Sequence, residues 1–191
     1  MSDYSVRQAR LADIPTLPDI ERRASASLTP YETLGSTEPG ELEWFRSAAE
    51  RAHLWVATDE TDKPVAFALF EVLDPTASDL HLEEIDVDPA HARRGLGARL
   101  IQAAALWAGS RGYTGITLTT FRSVPWNAPY YERLGFRELP THARPAPLAA
   151  RVAAEASAGL RAHRRITMRL TVPDAPSPPR TDGDEPPPHG R

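Results

Sequence analysis

Cysteine is missing altogether from this 191-residue chain. Disulfides, thiolate metal sites and a cysteine nucleophile are therefore excluded together. Lysine is nearly missing too, since Lys63 stands alone against 21 arginines, a bias we assign to coding rather than function. Aromatic residues make up only 7% of the chain, and no apolar run approaches the ~18 residues of a membrane-spanning helix. The first residues lack the apolar core of a signal peptide, so a soluble cytoplasmic protein without membrane contact is expected. Excess positive charge is lacking as well: the net charge is −4, and nothing suggests a nucleic-acid-binding surface. His53, His91, His142, His163 and His189 show no ligand spacing, and no metal is expected. What remains, 41% hydrophobic and 25% charged, suits one globular domain with a real core.

The most informative stretch runs from Leu80 to Leu100 and reads as a strand, a turn rich in nitrogen donors, and a helix. Ile85 and Val87 have β-branched strand character, and Pro89 lacks the N–H that a continuing ladder needs. Leu96, Leu100, Ala103, Ala104 and Trp107 then keep a helical spacing. Gly95 and Gly97 fall where that helix begins, at the end with unpaired N–H groups and the positive pole of the dipole. Without β-carbons there, a bulky anion can approach those N–H groups, and Arg93 and Arg94 add full charge beside it. The segment reads as a site for a phosphate-bearing ligand.

Missing residues narrow that ligand. A P-loop requires Gly-Lys-Ser/Thr, which Lys63 is in no position to supply. A dinucleotide fingerprint requires a third small residue where Leu100 stands, and an acid after the next strand, where Thr114 to Thr120 has none. Ala92-Arg93-Arg94-Gly95-Leu96-Gly97 instead resembles the acyl-CoA loop Gln/Arg-x-x-Gly-x-Gly/Ala of the GNAT acetyltransferase superfamily, with Ala92 in place of the first polar residue. A second signature of that family, Asn-x-x-Ala…Tyr-x-x-x-Gly-Phe, is matched by Asn127, Tyr131, Gly135 and Phe136, with Ala128 displaced to directly after the asparagine. The resemblance covers roughly residues 4 to 172.

Along the chain, Tyr4 to Ala9 reads as a first strand and Asp13 as the N-cap of a helix with Pro15 in its first turn, running to about Ser27. Leu28 to Gly40 is turn-rich, and a second helix spans about Glu41 to Arg51. Leu54 to Thr58 and Val65 to Val72 form a hairpin across Asp59 to Pro64. The central strand follows, then the helix from Leu96, which ends near Gly109 to Gly112. Gly115 to Thr120 is a fifth strand, so a parallel pair joined by a right-handed crossover is expected. A short helix capped by Asn127 ends at Gly135, another runs from Pro147 to Gly159, and Arg165 to Thr171 alternates as a last strand. The expected fold is α/β (α+β): one GNAT-like domain over residues 1–172, with a mixed, mostly antiparallel twisted sheet of six or seven strands flanked by four or five helices. Residues 173–191, rich in proline and acid, are expected to be a disordered tail.

The resemblance implies transfer of an acetyl group from acetyl-CoA, as co-substrate, to a primary amine by direct attack in a ternary complex, the cysteine-free chain having no acyl-Cys route. It implies Tyr131 as the acid that protonates the departing thiolate, with Tyr130 packing beside the pantetheine. Asp86, Val87, Arg93, Arg94, Gly95, Leu96, Gly97, Ala98, Asn127 and Tyr130 are the expected coenzyme-binding residues, the Val87 N–H polarising the carbonyl. Candidates for the base are Glu83, Glu84 and His81, in that order. Strict alternation places His81, Glu83, Ile85 and Val87 on one face and Leu82, Glu84 and Asp86 on the other, and a β-bulge would swap those faces. The helix–loop–helix between Asp19 and Glu50 implies one wall of the acceptor site. Its acids (Asp19, Glu21, Glu32, Glu38, Glu41, Glu43, Glu50) and aromatics (Tyr31, Trp44, Phe45) would favour a cationic small-molecule or peptide amine. Superfamily members often dimerise, so a homodimer is a further expectation. The rival reading is an acyl-CoA-binding regulatory module without turnover.

Overall fold

Seven strands lie in one sheet in the order β1-β2-β3-β4-β5-β7-β6. The computed structural model describes residues 3–26, 42–122, 124, 127–157 and 165–172. The strands are β1 (Ser5–Gln8), β2 (Leu54–Thr58), β3 (Pro64–Glu71), β4 (Asp79–Val87), β5 (Gly115–Phe121), β6 (Arg137–Glu138) and β7 (Arg165–Thr171). Only the β4–β5 pairing is parallel, where the strand–helix–strand unit required it. Five α-helices stand among the described residues: α1 (Leu17–Ser25), α2 (Leu42–Glu50), α3 (Leu96–Ser110), α4 (Ala128–Arg133) and α5 (Ala146–Ser157). The mixed GNAT-like sheet expected from the sequence is the observed fold.

Cross-strand register separates the two faces. Ala66, Ala68, Phe70, Leu80 and Leu82 pack on one face against Leu96, Leu100, Ile101 and Ala104 of α3, with Tyr131 and Phe136 from the α4 region. Val56, Phe67 and Leu69 turn to the other face and meet Ile14, Leu17, Ile20 and Phe45. Each of these fully buried Leu or Phe side chains contributes about 1.5–3 kcal/mol, so the helices are held mainly by this apolar contact.

The alternation breaks at one point. Leu69 pairs with Glu84, but the next residue, Phe70, pairs with Leu82, so Glu83 is an extra residue in β4. The strict-alternation reading of β4 is corrected by this bulge. Leu82, Ile85 and Val87 face α3, while His81, Glu84 and Asp86 face the α1 side.

Other expectations also change. α1 begins at Leu17 rather than Asp13, because Leu11–Thr16 forms a tighter 3-10 turn with Pro15 inside it and Pro18 follows. Asp13 accepts the Arg10 N–H at 2.7 Å and pairs with Arg7 at 2.7 Å, fastening the turn to β1. Asn127 stands at the N-cap of α4, but its carbonyl rather than its side chain accepts the Tyr130 and Tyr131 N–H groups. Phe45 is fully buried against Phe67, with ring centroids 5.3 Å apart, and belongs to the core rather than to an acceptor wall. Tyr31, Glu32, Glu38 and Glu41, like the expected tail at 173–191, lie outside the described residues.

Candidate active site

β4 and β5 run paired only from Asp79↔Gly115 to Leu82↔Leu118. Beyond that point β4 stays with β3 as far as Ala66↔Val87, and β5 stays with β7 as far as Phe121↔Arg165. The strands therefore splay, leaving a gap that starts at the Glu83 bulge. Asp88 N–H donates to Val65 O at 2.9 Å. Alternation along an antiparallel ladder then turns the N–H groups of Ile85 and Val87 the other way, toward the gap.

The mouth of the gap is the turn before α3. Arg93 (φ +61°) and Gly95 (φ +73°) both adopt the left-handed conformation, which curls the chain so that successive N–H groups converge. Gly95 is the N-cap of α3, and the first helical bond at this end runs from Arg99 N–H to Gly95 O at 3.1 Å. The N–H groups of Leu96, Gly97 and Ala98 precede that bond and have no helical acceptor. Arg93 and Arg94 are exposed beside them. A β-carbon at Gly97 would lie 2.9 Å from the Tyr130 hydroxyl and 3.6 Å from Ile85 Cδ1, so only glycine lets β4, α3 and α4 meet this closely. The donor set, a concave run of N–H groups flanked by two guanidinium groups, fits a pyrophosphate.

The carboxylates divide between two environments. Glu84 and Asp86 lie across from Leu69 and Phe67, on the face covered by α1. Burial pushes the Glu84 carboxyl well above the ordinary range, with the charges of Asp86 and of Glu21 on α1 adding to it. Asp86 is also raised, chiefly by burial, against the opposing effect of the Glu84 carboxyl beside it. Both carboxyls therefore bind a proton more readily than a free carboxylate does. Glu83, turned out by the bulge, instead forms an ion pair with Arg151 of α5. His81 is only 1% exposed, and burial, then the charges of Arg151 and Arg165, push it down to about 3. Thr117 Oγ1 donates to Leu80 O at 3.2 Å, so it accepts from His81 Nδ1 at 3.0 Å, and the imidazole is a neutral group locked into the sheet.

Tyr131 and Tyr130 reach the gap from α4, with rings 5.5 Å apart. Tyr131 is 7% exposed and packs on Phe136. Burial, then Tyr130 and Asp86, push its phenol upward, so it stays protonated at any ordinary pH. Burial raises the half-buried Tyr130 as well. The structure thus brings together Glu84, Asp86, Tyr130, Tyr131, Gly97 and the Val87 edge, and sets Glu83 and His81 apart under α5.

Sequence reasoning missed the α5 side of the site. Arg151 meets Glu83, and one turn later Glu155 accepts from Thr119 Oγ1 at 2.8 Å and pairs with Arg165 at 3.2 Å. The only signal available was the Arg151/Glu155 spacing of four residues on a helix, which reads as an ordinary surface pair.

The comparisons with known proteins agree with this geometry. The family model described as Acetyltransferase (GNAT) family matches residues 17–136. Among solved structures, the ribosomal-protein-S18-alanine N-acetyltransferase from Escherichia coli is similar at a TM-score of 0.60 and 23% identity, over 92% of this chain and 97% of that one. An N-acetylglutamate synthase from Neisseria gonorrhoeae, complexed with coenzyme A and N-acetyl-glutamate, gives a TM-score of 0.68 at 14% identity, over 91% of this chain but 36% of that one. An N-acetyltransferase from Thermoplasma acidophilum in complex with coenzyme A gives 0.63 at 13% identity, over 88% and 99%.

Proposed function

The chain belongs to the GNAT acetyltransferase family, and from that premise we propose that it transfers an acetyl group from acetyl-CoA to a primary amine by direct attack. The observation that carries the reading is the gap between β4 and β5, where N–H groups of one strand edge, a raised carboxyl pair and a protonated phenol converge. The turn at 93–98 holds the pyrophosphate, and its place at the mouth of the gap directs the thioester along the β4 edge.

A lysine-like amine of pKa ~10.4 costs roughly 4–5 kcal/mol to deprotonate at pH 7. The Glu84–Asp86 pair takes that proton, directly or through one water, and its raised affinity matches it to the task. We place this role on the Glu84–Asp86 pair rather than on Glu83, because Glu83 is already neutralised by Arg151. As the amine nitrogen bonds to the carbonyl carbon, negative charge grows on the carbonyl oxygen, and the Val87 N–H stabilises it. The carbon–sulfur bond then breaks, and the Tyr131 hydroxyl stands as donor to the departing thiolate. A thiol of pKa ~8.5 leaves readily, so this last contribution is the smaller one.

The test is release of free thiol from acetyl-CoA across a panel of primary amines, with the product checked for one added acetyl group. Amine-dependent release that falls sharply in Glu84→Gln supports the reading. Binding of coenzyme A with no transfer to any amine would leave a regulatory module instead.

A further inference from the structure

The sheet face beneath α5 is polar where a helix-covered face is ordinarily apolar. Thr117, Thr119, Thr167 and Arg165 all turn to it, and α5 answers with Arg151 and Glu155. Beside them lies a cavity of about 460 Å³, lined by β5, β7 and α5 together with Arg122, Glu138 and Arg144. Two atoms on its lining are orphaned. Thr167, 1% exposed, has a buried Oγ1 with no hydrogen-bond partner, and Arg165 Nε is buried without one as well. A buried hydroxyl left unpaired has given up its bond to water, so a ligand with a matching acceptor would recover that loss.

The charges on the lining define the acceptor. Glu138 is taken by Arg122 in a two-pronged pair at 2.7 and 3.1 Å, and Glu155 by Arg165. Among the described residues Arg144 forms no ion pair, its charge reaches Glu138 only at longer range, and its one side-chain hydrogen bond runs from Nε to Leu139 O at 3.5 Å. Three arginines against two glutamates leave one positive charge over, which matches a monoanion. A carboxylate suits this better than a phosphate dianion, and a planar guanidinium can hold it in two-pronged fashion.

Position ties the cavity to the proposed acceptor site. Thr119 is the first β5 residue beyond the last β4–β5 pair, as Glu83 is on β4, so the cavity begins where the strands part. Glu84 lies on β4 and Thr167 two strands away on β7, on the same face. Two strand spacings set a lower bound of about 10 Å on that separation, which the splay between β4 and β5 widens. We propose that the cavity beside Thr167, Arg165 and Arg144 holds the carboxylate of the acceptor, and that the acceptor is an amine whose carboxylate lies about 10 Å or more from its nitrogen. An α-amino acid is too short to reach both ends, whereas a long ω-amino carboxylate spans them. This inference rests on the acetyl-transfer reading above for the amine end only.

The experiment is a molecular ruler: thiol release from acetyl-CoA with glycine, aminobutyrate, aminohexanoate and aminooctanoate, each beside its carboxamide. For the longer acids, kcat/KM is expected to exceed that of the amide by about tenfold, and this ratio is expected to collapse toward one in Arg144→Gln and in the isosteric Thr167→Val. Transfer with no gain from the carboxylate at any length overturns the inference and leaves the acetyl-transfer reading standing. If no amine is acetylated, calorimetry with aminooctanoate decides. Heat that is lost in Thr167→Val keeps the cavity assignment while the transfer reading fails, and no heat overturns both.

Discussion

Glu84 and Asp86 stand two residues apart on one face of β4 beneath α1, and the Asp86 charge adds to burial in raising the Glu84 carboxyl. Burial raises both carboxyls, so the acid limb of the rate profile should lie above the ordinary range near ~4.3. Glu84→Gln is expected to lower kcat/KM by about 100-fold or more, within the span of general-base effects. A pH series of kcat/KM for both proteins checks this, and an unaltered acid limb in the variant would remove Glu84 from the mechanism.

The same pair should weaken the fold as pH rises. Both carboxyls bind protons more tightly in the folded chain than in the unfolded one. Between the unfolded pKa of ~4.3 and the raised folded values, the native state holds more protons, so stability declines with increasing pH. Glu84→Gln removes the proton uptake that burying this carboxyl requires and is expected to be more stable than wild type by about 1 kcal/mol at pH ~8, with little difference at pH ~5. Urea unfolding at the two pH values measures it. A variant less stable at the higher pH contradicts the burial assigned to Glu84.

Gly97→Ala places a methyl group 2.9 Å from the Tyr130 hydroxyl. Tyr130 must then move away from the mouth of the gap, and KM for acetyl-CoA is expected to rise about tenfold. Adding Tyr130→Phe removes the clashing oxygen and should restore most of the loss. Steady-state kinetics on the two single variants and the double variant give the coupling, and strictly additive effects would break the link between these residues.

Tyr131→Phe is expected to lower kcat by about 10- to 100-fold. Because burial holds the phenol protonated, wild type should show no loss of rate on the alkaline side traceable to this hydroxyl. A kcat profile extended past pH ~10, the ordinary phenol value, tests both statements. Equal kcat in the two proteins would make Tyr131 a packing residue.

Much of this architecture is written in local sequence. The turn at Gly95 was legible because its left-handed backbone demands glycine, and α3 because its apolar spacing is regular. Tyr131, Gly135 and Phe136 were legible from their resemblance to a family signature, and Tyr131 packs on Phe136 in one corner of the core. The Glu83 bulge was not fixed by sequence, since register is decided by the partner strand and no residue in β4 is peculiar to a bulge. The α5 network was invisible for a related reason: Arg151, Glu155 and Arg165 read as solvated charges until the helix lies over the sheet. β6, two residues long, carries too short a pattern to read. Phe45 was misplaced because an aromatic among acids on an amphipathic helix looks the same whether it faces the core or a cleft.

The central claim is that backbone N–H groups around Gly95 hold a pyrophosphate and so set a thioester against the β4 edge. Calorimetric titration of the protein with coenzyme A addresses it most directly. The expected result is one site per chain with Kd of about 1–100 μM, weakened when Gly95, held at φ +73°, is replaced by valine. Absence of binding heat in the wild-type protein at millimolar coenzyme A would contradict the account.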